Sequence, residues 1–312
     1  MSAQIDKAVE LLKAGELVAF PTETVYGLGA DSTNDQALAK IFQLKERPKN
    51  HPLILHIATI AELNKYAQNI PDIAYKLAEN FWPGPFTIIL ERAKDTSKVI
   101  TGQQDTVALR IPNHPVALEL LENFGAAIAA PSANRFGRIS PTTSEHVKTE
   151  FGNKIKLILD GGASQVGLES TILNLSSSQA QILRPGQITK EAIANILGYM
   201  PQSMQNINNA IKSPGLLKSH YSPITASSLK TRSELAKIIK TQNNIGVLCH
   251  SLNLKEAKNI IVLKNNPATY AQKLYASLRQ LDRLGLNHIY IEEPNDNSEW
   301  SAIKDRLSRA TQ

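Results

Sequence analysis

Apolar residues recur at helical spacing in the opening stretch, where Ile5, Ala8, Val9, Leu11 and Leu12 share one face. This predicts a helix from about Ile5 to Ala14, stopped at Gly15. Leu17–Phe20 then reads as a short buried strand ended by Pro21. The alternation continues. Helices are predicted from Asn34 or Asp35 to about Leu44, from Pro71 to about Asn80, over Pro115–Asn123, over Ser144–Phe151 and over Thr189–Leu197. Strands are predicted at Leu53–Ile57, Phe86–Leu90, Val107–Ile111, Ala126–Ala130, Ile155–Leu159, Thr171–Leu175 and Ala180–Leu183. Trp82-Pro83-Gly84-Pro85 is a rigid turn. Strands alternating with helices over this length imply an α/β domain.

The pattern breaks between Tyr199 and Pro223, which is rich in Asn, Gln, Ser and Pro and has poor periodicity. Its second half, Ser213-Pro214-Gly215-Leu216-Leu217-Lys218-Ser219-His220-Tyr221-Ser222-Pro223, is too rich in chemistry for a plain tether. A second α/β unit follows. It has helices near Ser233–Lys240, Ala268–Leu284 and Glu299–Arg309, with strands at Ile245–Leu248, Ile260–Leu263 and His288–Ile291. The chain thus divides into residues 1–200, a connector over 201–223 and a small domain over 224–312.

A length of 312 residues fits two domains. A hydrophobic share of 42% excludes disorder over most of the chain. The single cysteine, Cys249, excludes an internal disulfide and a cysteine-built metal cluster. The N-terminus lacks the signature of a secretory signal, and no apolar run approaches the roughly 20 residues of a membrane span. A cytoplasmic protein with no membrane role is the expectation. Charge is uneven: residues 1–200 carry 19 basic and 20 acidic side chains, and residues 201–312 carry 15 and 8. The basic last third is either a lysine-rich solvated surface or an electrostatic footprint for a polyanion such as tRNA.

Several stock motifs are missing. No Gly-Lys dipeptide occurs, which excludes a Walker A loop, and Gly27-Leu28-Gly29 lacks the third glycine of a dinucleotide fingerprint. Ser132 is not in a nucleophile elbow, and there is no His-Glu-x-x-His. What remains clusters at predicted strand and helix ends, where ligands bind α/β sheets. Thr22-Glu23-Thr24-Val25-Tyr26-Gly27-Leu28-Gly29 follows the first strand, as an ordinary glycine-rich turn or as polar contacts with close backbone approach. Lys45-Glu46-Arg47-Pro48-Lys49 ends a helix, where cations either complement the dipole or grip phosphate. Ala130-Pro131-Ser132-Ala133-Asn134 lies beyond another strand, and Arg110 and Arg184 each end one.

Lys45-Glu46-Arg47 with Ser132-Ala133-Asn134, together with the Pro-Thr-Glu-Thr-Val-Tyr-Gly-Leu-Gly opening and the Ser213–Pro223 segment, resembles the YrdC-like family of threonylcarbamoyl-AMP synthases in its longer two-domain form. The resemblance implies a twisted open mixed sheet with flanking helices as the catalytic domain, then a small C-terminal Rossmann-like α/β domain. It implies that residues 201–223 form a lid over the active site.

It also implies a reaction. L-threonine, bicarbonate and ATP give threonylcarbamoyl-AMP and pyrophosphate, with Mg2+ carried on the ATP and no dedicated metal ligands. The product would feed a tRNA threonylcarbamoyl transferase complex that makes N6-threonylcarbamoyladenosine. Catalytic roles fall on Lys45, Arg47, Ser132 and Asn134. ATP contacts fall on Arg47, His51, Thr106, Ser132, Ser140, Arg184 and Tyr221, with Lys45 neutralising phosphate charge. The threonine pocket falls on Thr24, His56, Arg110, Ala130 and Ser170, with Arg110 on the carboxylate. Two other readings stand beside it. One is a non-catalytic module binding structured RNA; the other is the carbamoyl-transfer domain of hydrogenase maturation, whose zinc-finger and acylphosphatase extensions do not occur here.

Overall fold

The computed structural model describes residues 2–203, 213–215, 220–252 and 258–312. In the first region, α1 (Ser2–Lys13), β1 (Val18–Phe20), β2 (Gly27–Asp31), α2 (Asp35–Lys45), β3 (Ile54–His56), the single turn α3 (Leu63–Tyr66) and β4 (Ala67–Gln68) come first. There follow α4 (Asp72–Phe81), β5 (Phe86–Arg92), β6 (Thr106–Arg110), α5 (Pro115–Phe124), β7 (Ile128–Ala129), α6 (Ser144–Phe151) and β8 (Leu157–Ile158). The region closes with β9 (Thr171–Asn174), β10 (Gln181–Arg184), α7 (Lys190–Leu197) and β11 (Gln202–Ser203).

These strands form an 11-stranded sheet in the order β11-β10-β9-β5-β6-β3-β7-β2-β1-β8, with β4 on β5. The sheet is mixed: β3 runs parallel to β6 and antiparallel to β7, and β1 is antiparallel to β2 and parallel to β8. One face is covered along its length by apolar residues of α2, α4, α6 and α7 packed on Leu28, Leu55, Leu109 and Leu173. On the other face, α1 and α5 cover only one end, around Val18, Phe20 and Ile128. Strands alternate sides, so Ile54 and His56 of β3, and Ala108 and Arg110 of β6, point to the face that those two helices leave open.

The second region contains β12 (Ser227–Lys230), α8 (Arg232–Thr241), β13 (Ile245–Cys249), β14 (Ile260–Val262), α9 (Pro267–Asp282), β15 (His288–Glu292) and α10 (Ser301–Ala310). The four strands are all parallel in the order β12-β15-β13-β14. Helix α8 packs on the Val247 and Cys249 side and α9 with α10 on the Leu248, Ile289 and Ile291 side, as in a doubly wound unit. Val25, Ile139, Leu168 and Tyr221 belong to the same apolar cluster as α9 and α10, so the second domain is seated on the open side of the first.

Most predicted elements are present, with shifted ends. Strands β7 and β8 are two residues each where five were predicted, and residues 298–300 form a 3-10 turn before α10. Four strands were not predicted. Strand β12 is half-buried and polar, β4 is only two residues long, and β11 extends the first sheet past residue 200 into the stretch read as connector. Residues 204–212 and 216–219 of the predicted connector, Leu216, Leu217, Lys218 and Ser219 among them, and residues 253–257 lie outside the described residues.

The fourth is β2, read as a glycine-rich turn. Its glycines serve packing: a Cβ on Gly29 would stand 2.8 Å from Ile128 Cγ2 and 2.9 Å from Phe20 Cε1. Gly29→Ala should therefore overpack the strand and cost about 1–3 kcal/mol. Denaturant unfolding checks this, and an unchanged midpoint contradicts the packing argument.

Candidate active site

The open face of the sheet forms one pocket, lined by Thr22, Thr24, Arg47, His56, Arg110, Ala130, Ser132, Glu169, Arg184, Pro214, Gly215, His220 and Tyr221 among others. Its empty volume is about 550 Å3.

The segment after β1 is shaped by hydroxyls. Thr22 Oγ1 accepts from the N–H of Thr24 and Val25, at 3.2 Å each, and donates to Val25 O at 2.6 Å. This local turn presents Thr24, whose Oγ1 accepts from Arg110 Nη1 at 2.9 Å. Arg110 also donates from Nε to Gly84 O at 3.2 Å. Its Nη2 lies 2.7 Å from Glu23 Oε1, an ion pair out of line for a hydrogen bond. Beside it His56 is buried, edge-on to Phe20, with Nδ1 unpartnered. Burial and the neighbouring Arg110 push the His56 pKa down to about 3, so the ring is neutral.

Helix α2 delivers the cations. Glu46 caps it in the left-handed region at φ 56°, and Arg47 follows this cap. Lys45 Nζ donates to Ser132 O at 2.6 Å and to Asn134 O. The Asn134 amide in turn donates to Arg135 O and Arg138 O, at 2.7 and 2.8 Å. Burial, with Arg47 close by, holds the Lys45 ammonium well below the usual lysine range. Arg47 donates to Pro52 O at 2.8 Å and lies 5.5 Å over the Phe136 ring. Burial lowers its pKa to about 10, so it stays charged at neutral pH. The Lys45, Arg47, Ser132 and Asn134 set is thus one assembly, with Lys45 and Asn134 behind the loop that presents Ser132.

Arg184 closes the far side. It donates to Ser170 O at 3.0 Å, Ser170 Oγ at 3.1 Å and Pro214 O at 3.1 Å. The Ser170 hydroxyl also meets Thr87 Oγ1 at 2.7 Å, and Ser140 Oγ donates to Glu169 at 2.5 Å. Tyr221 is buried at φ 65°, and its hydroxyl has no hydrogen-bond partner. Gly215 is needed opposite it, because a Cβ there would lie 2.3 Å from the Tyr221 hydroxyl. Burial lowers the His220 pKa to about 3.

Thr106 and Lys45 are not among the residues that line the pocket. Thr106 opens β6, four strand steps or roughly 13 Å from Arg110 at its other end, and the Lys45 ammonium donates to two carbonyls. His51 sits at the rim, with its ring 5.2 Å from Phe136. Sequence reasoning missed Glu169, Glu23 and His220 as participants. The adjacency of Glu23 to Thr22 and Thr24, and of Glu169 to Ser170, was the available signal.

A covered pocket of arginines and hydroxyls on an open mixed sheet defines a two-domain α/β protein built to gather anions. Residues 10–186 match the family model described as "Telomere recombination", of the Sua5, YciO and YrdC proteins, and residues 188–312 match "Threonylcarbamoyl-AMP synthase, C-terminal domain". The threonylcarbamoyl-AMP synthase of Pyrococcus abyssi is 37% identical over 97% of this chain and 93% of its own. That of Bacillus subtilis is 37% identical over 98% and 92%. The crystal structure of P. abyssi Sua5 complexed with L-threonine superposes at a TM-score of 0.92, with 36% identity, covering 100% of this chain and 95% of that one. The chain belongs to the threonylcarbamoyl-AMP synthase family, in its two-domain form.

The buried neutral histidines make stability pH-dependent. His56 and His220 take up a proton at about pH 6.5 when unfolded but only near 3 when folded. Their contribution is intact above pH 6.5 and is lost progressively as pH falls toward 3. At pH 5 each should cost about 2 kcal/mol relative to pH 7.5. Chemical unfolding at the two pH values measures it, and equal stabilities would show the rings to be solvated.

Proposed function

We propose that the pocket joins L-threonine, bicarbonate and ATP into threonylcarbamoyl-AMP and pyrophosphate, which makes the protein a nucleotidyltransferase. The observation that carries this reading is one pocket holding Arg110 with Thr24 and His56 at one end, and Arg47 with Ser132 and Arg184 at the other.

The threonine ammonium loses a proton, and the free amine adds to CO2 with loss of a second proton, or condenses with bicarbonate with loss of water, to give a carbamate. A carbamate oxygen then attacks the α-phosphorus, and the bond to the β-phosphate breaks to release pyrophosphate. ATP, bicarbonate, the carbamate and the carboxylate end of threonine are all anionic, so positioning and fixed positive charge do most of the work. Thr24, His56, Arg110, Ala130 and Ser170 would form the threonine end. Arg110 receives the carboxylate while Glu23 holds it in place, and neutral His56 leaves the amine uncontested. Arg47, His51, Ser132, Ser140 and Arg184 would form the nucleotide end. Lys45 and Asn134 act through the loop they fasten, setting where Ser132 meets phosphate.

Pro214, Gly215, His220 and Tyr221 line the pocket and would close over bound ATP, with residues 201–223 as the lid. The unpartnered Tyr221 hydroxyl then has a nucleotide to meet. Among the described residues, no group of three His, Cys, Asp or Glu could hold a metal ion. Mg2+ is therefore read as part of the ATP substrate, and no step is assigned to it. The labile product would pass to a tRNA threonylcarbamoyl transferase complex, and the basic last third is the surface on which RNA contact would fall. Among the described residues no helix is long and apolar enough to cross a membrane, and a cytoplasmic site of action accords with the ATP and tRNA chemistry.

The test is pyrophosphate release with ATP, Mg2+ and bicarbonate, with and without L-threonine, and mass spectrometry of the fresh mixture. Strong threonine dependence with a threonylcarbamoyl-AMP peak is expected. A folded protein without that dependence, yet with salt-sensitive RNA binding, would be an RNA-binding module instead. Lys45→Ala should lower turnover at least a hundredfold by freeing the Ser132 loop; near-normal turnover would detach that loop from the chemistry.

A further inference from the structure

The nucleotide end of the pocket has a back wall that comes from the second domain. Glu169 lines the pocket and is buried. One oxygen, Oε2, accepts from Arg306 Nε at 2.8 Å and from the Tyr275 hydroxyl at 3.0 Å. The other, Oε1, accepts from Ser140 at 2.5 Å. Arg306 on α10 and Tyr275 on α9 are both fully buried. Arg306 Nη2 also donates to Pro185 O at 3.1 Å, the carbonyl next to Arg184, and Nη1 donates to Asp305 at 2.5 Å. Its guanidinium lies 5.2 Å over the Tyr221 ring, and Tyr275 stacks on that ring at 5.8 Å and 25°. Of the candidate nucleotide contacts, Ser140 thus bonds the Glu169 carboxylate directly, while Tyr221 and the carbonyl beside Arg184 meet the two C-terminal-domain residues that hold it.

We infer that Arg306 and Tyr275 of the C-terminal domain are positioning residues for ATP, acting through Glu169 on Ser140 and Arg184 and directly on Tyr221. The inference rests on the proposed reaction for the identity of the ligand. Both Glu169 oxygens are committed to hydrogen bonds, so the carboxylate holds the wall rather than meeting substrate. It also neutralises Arg306, leaving Arg184 and Arg47 as the cations that the anionic nucleotide meets. Ser170 joins the threonine end to this network through Arg184, whereas Arg110 is held by Gly84 O and Thr24, so loss of the network should weaken ATP binding more than threonine binding.

The experiment is calorimetric titration of the full chain with ATP and Mg2+, and separately with L-threonine, alongside KM values from pyrophosphate release. Tyr275→Phe removes one hydrogen bond and keeps the ring. The Glu169→Gln, Arg306→Met double variant removes both buried charges together, avoiding a lone one. The expected result is ATP affinity weakened about threefold in Tyr275→Phe and tenfold or more in the double variant, threonine affinity within twofold, and Arg306→Lys intermediate. Equal loss of affinity for both substrates, or ATP affinity unchanged in Tyr275→Phe and in the folded double variant, overturns the inference. If the double variant does not fold, unchanged ATP affinity in Tyr275→Phe alone overturns it. A wild-type chain that binds no ATP would overturn the proposed reaction first, and this role with it.

Discussion

The structure turns on burying cations without cancelling them. A pocket for ATP, bicarbonate and the carboxylate end of threonine needs positive charge, yet a desolvated guanidinium or ammonium is costly unless it is hydrogen-bonded. A carboxylate partner for each would solve the second problem by destroying the first. The chain uses main-chain carbonyls instead. Lys45 is held by Ser132 O and Asn134 O, Arg47 by Pro52 O, and Arg184 by Ser170 O and Pro214 O. A carbonyl satisfies a donor through its dipole and leaves the net charge in place. Among the described residues, carboxylates pair with two further cations of the site, Glu23 with Arg110, and Glu169 and Asp305 with Arg306. Arg306 is the one that lies behind the pocket.

That choice fixes the architecture around it. Carbonyls can converge on a cation only where the backbone leaves regular structure, so each cation stands where an element ends. Arg47 follows a left-handed cap, Arg110 and Arg184 end strands, and the Lys45 acceptors lie in the loop after β7. The open face left by α1 and α5 gathers these ends on one side of the sheet. The second domain then covers that side and excludes the water that would screen them.

This also explains what could be read from the sequence. Local features were legible: the helix periodicities, the Asn34 and Thr189 caps, the arginines at strand ends and the Lys45-to-Asn134 set all show in short windows. Strand β2 was not, because glycines chosen for contact with Phe20 and Ile128 look the same in sequence as glycines chosen for a turn. The edge strand β12 was not, because half-buried serines carry no apolar signal. The pairing of Glu169 with Arg306 spans two domains, and no spacing rule connects positions 137 residues apart.

The second domain is best understood through that pairing. A free-standing parallel sheet with helices on both faces needs no buried arginine on α10, and an apolar residue there would commonly stabilise the junction as well or better. Burial alone would raise the Glu169 pKa. Arg306 and Arg184, with the Ser140 hydroxyl, outweigh it and hold the carboxyl near 2. The carboxylate is therefore charged at any pH where the protein works, and its three donors remain fixed. A junction made only for cohesion would be greasy throughout. This one places an ion pair and two stacked tyrosines where the nucleotide end of the pocket is walled, and that placement makes the interface part of the site.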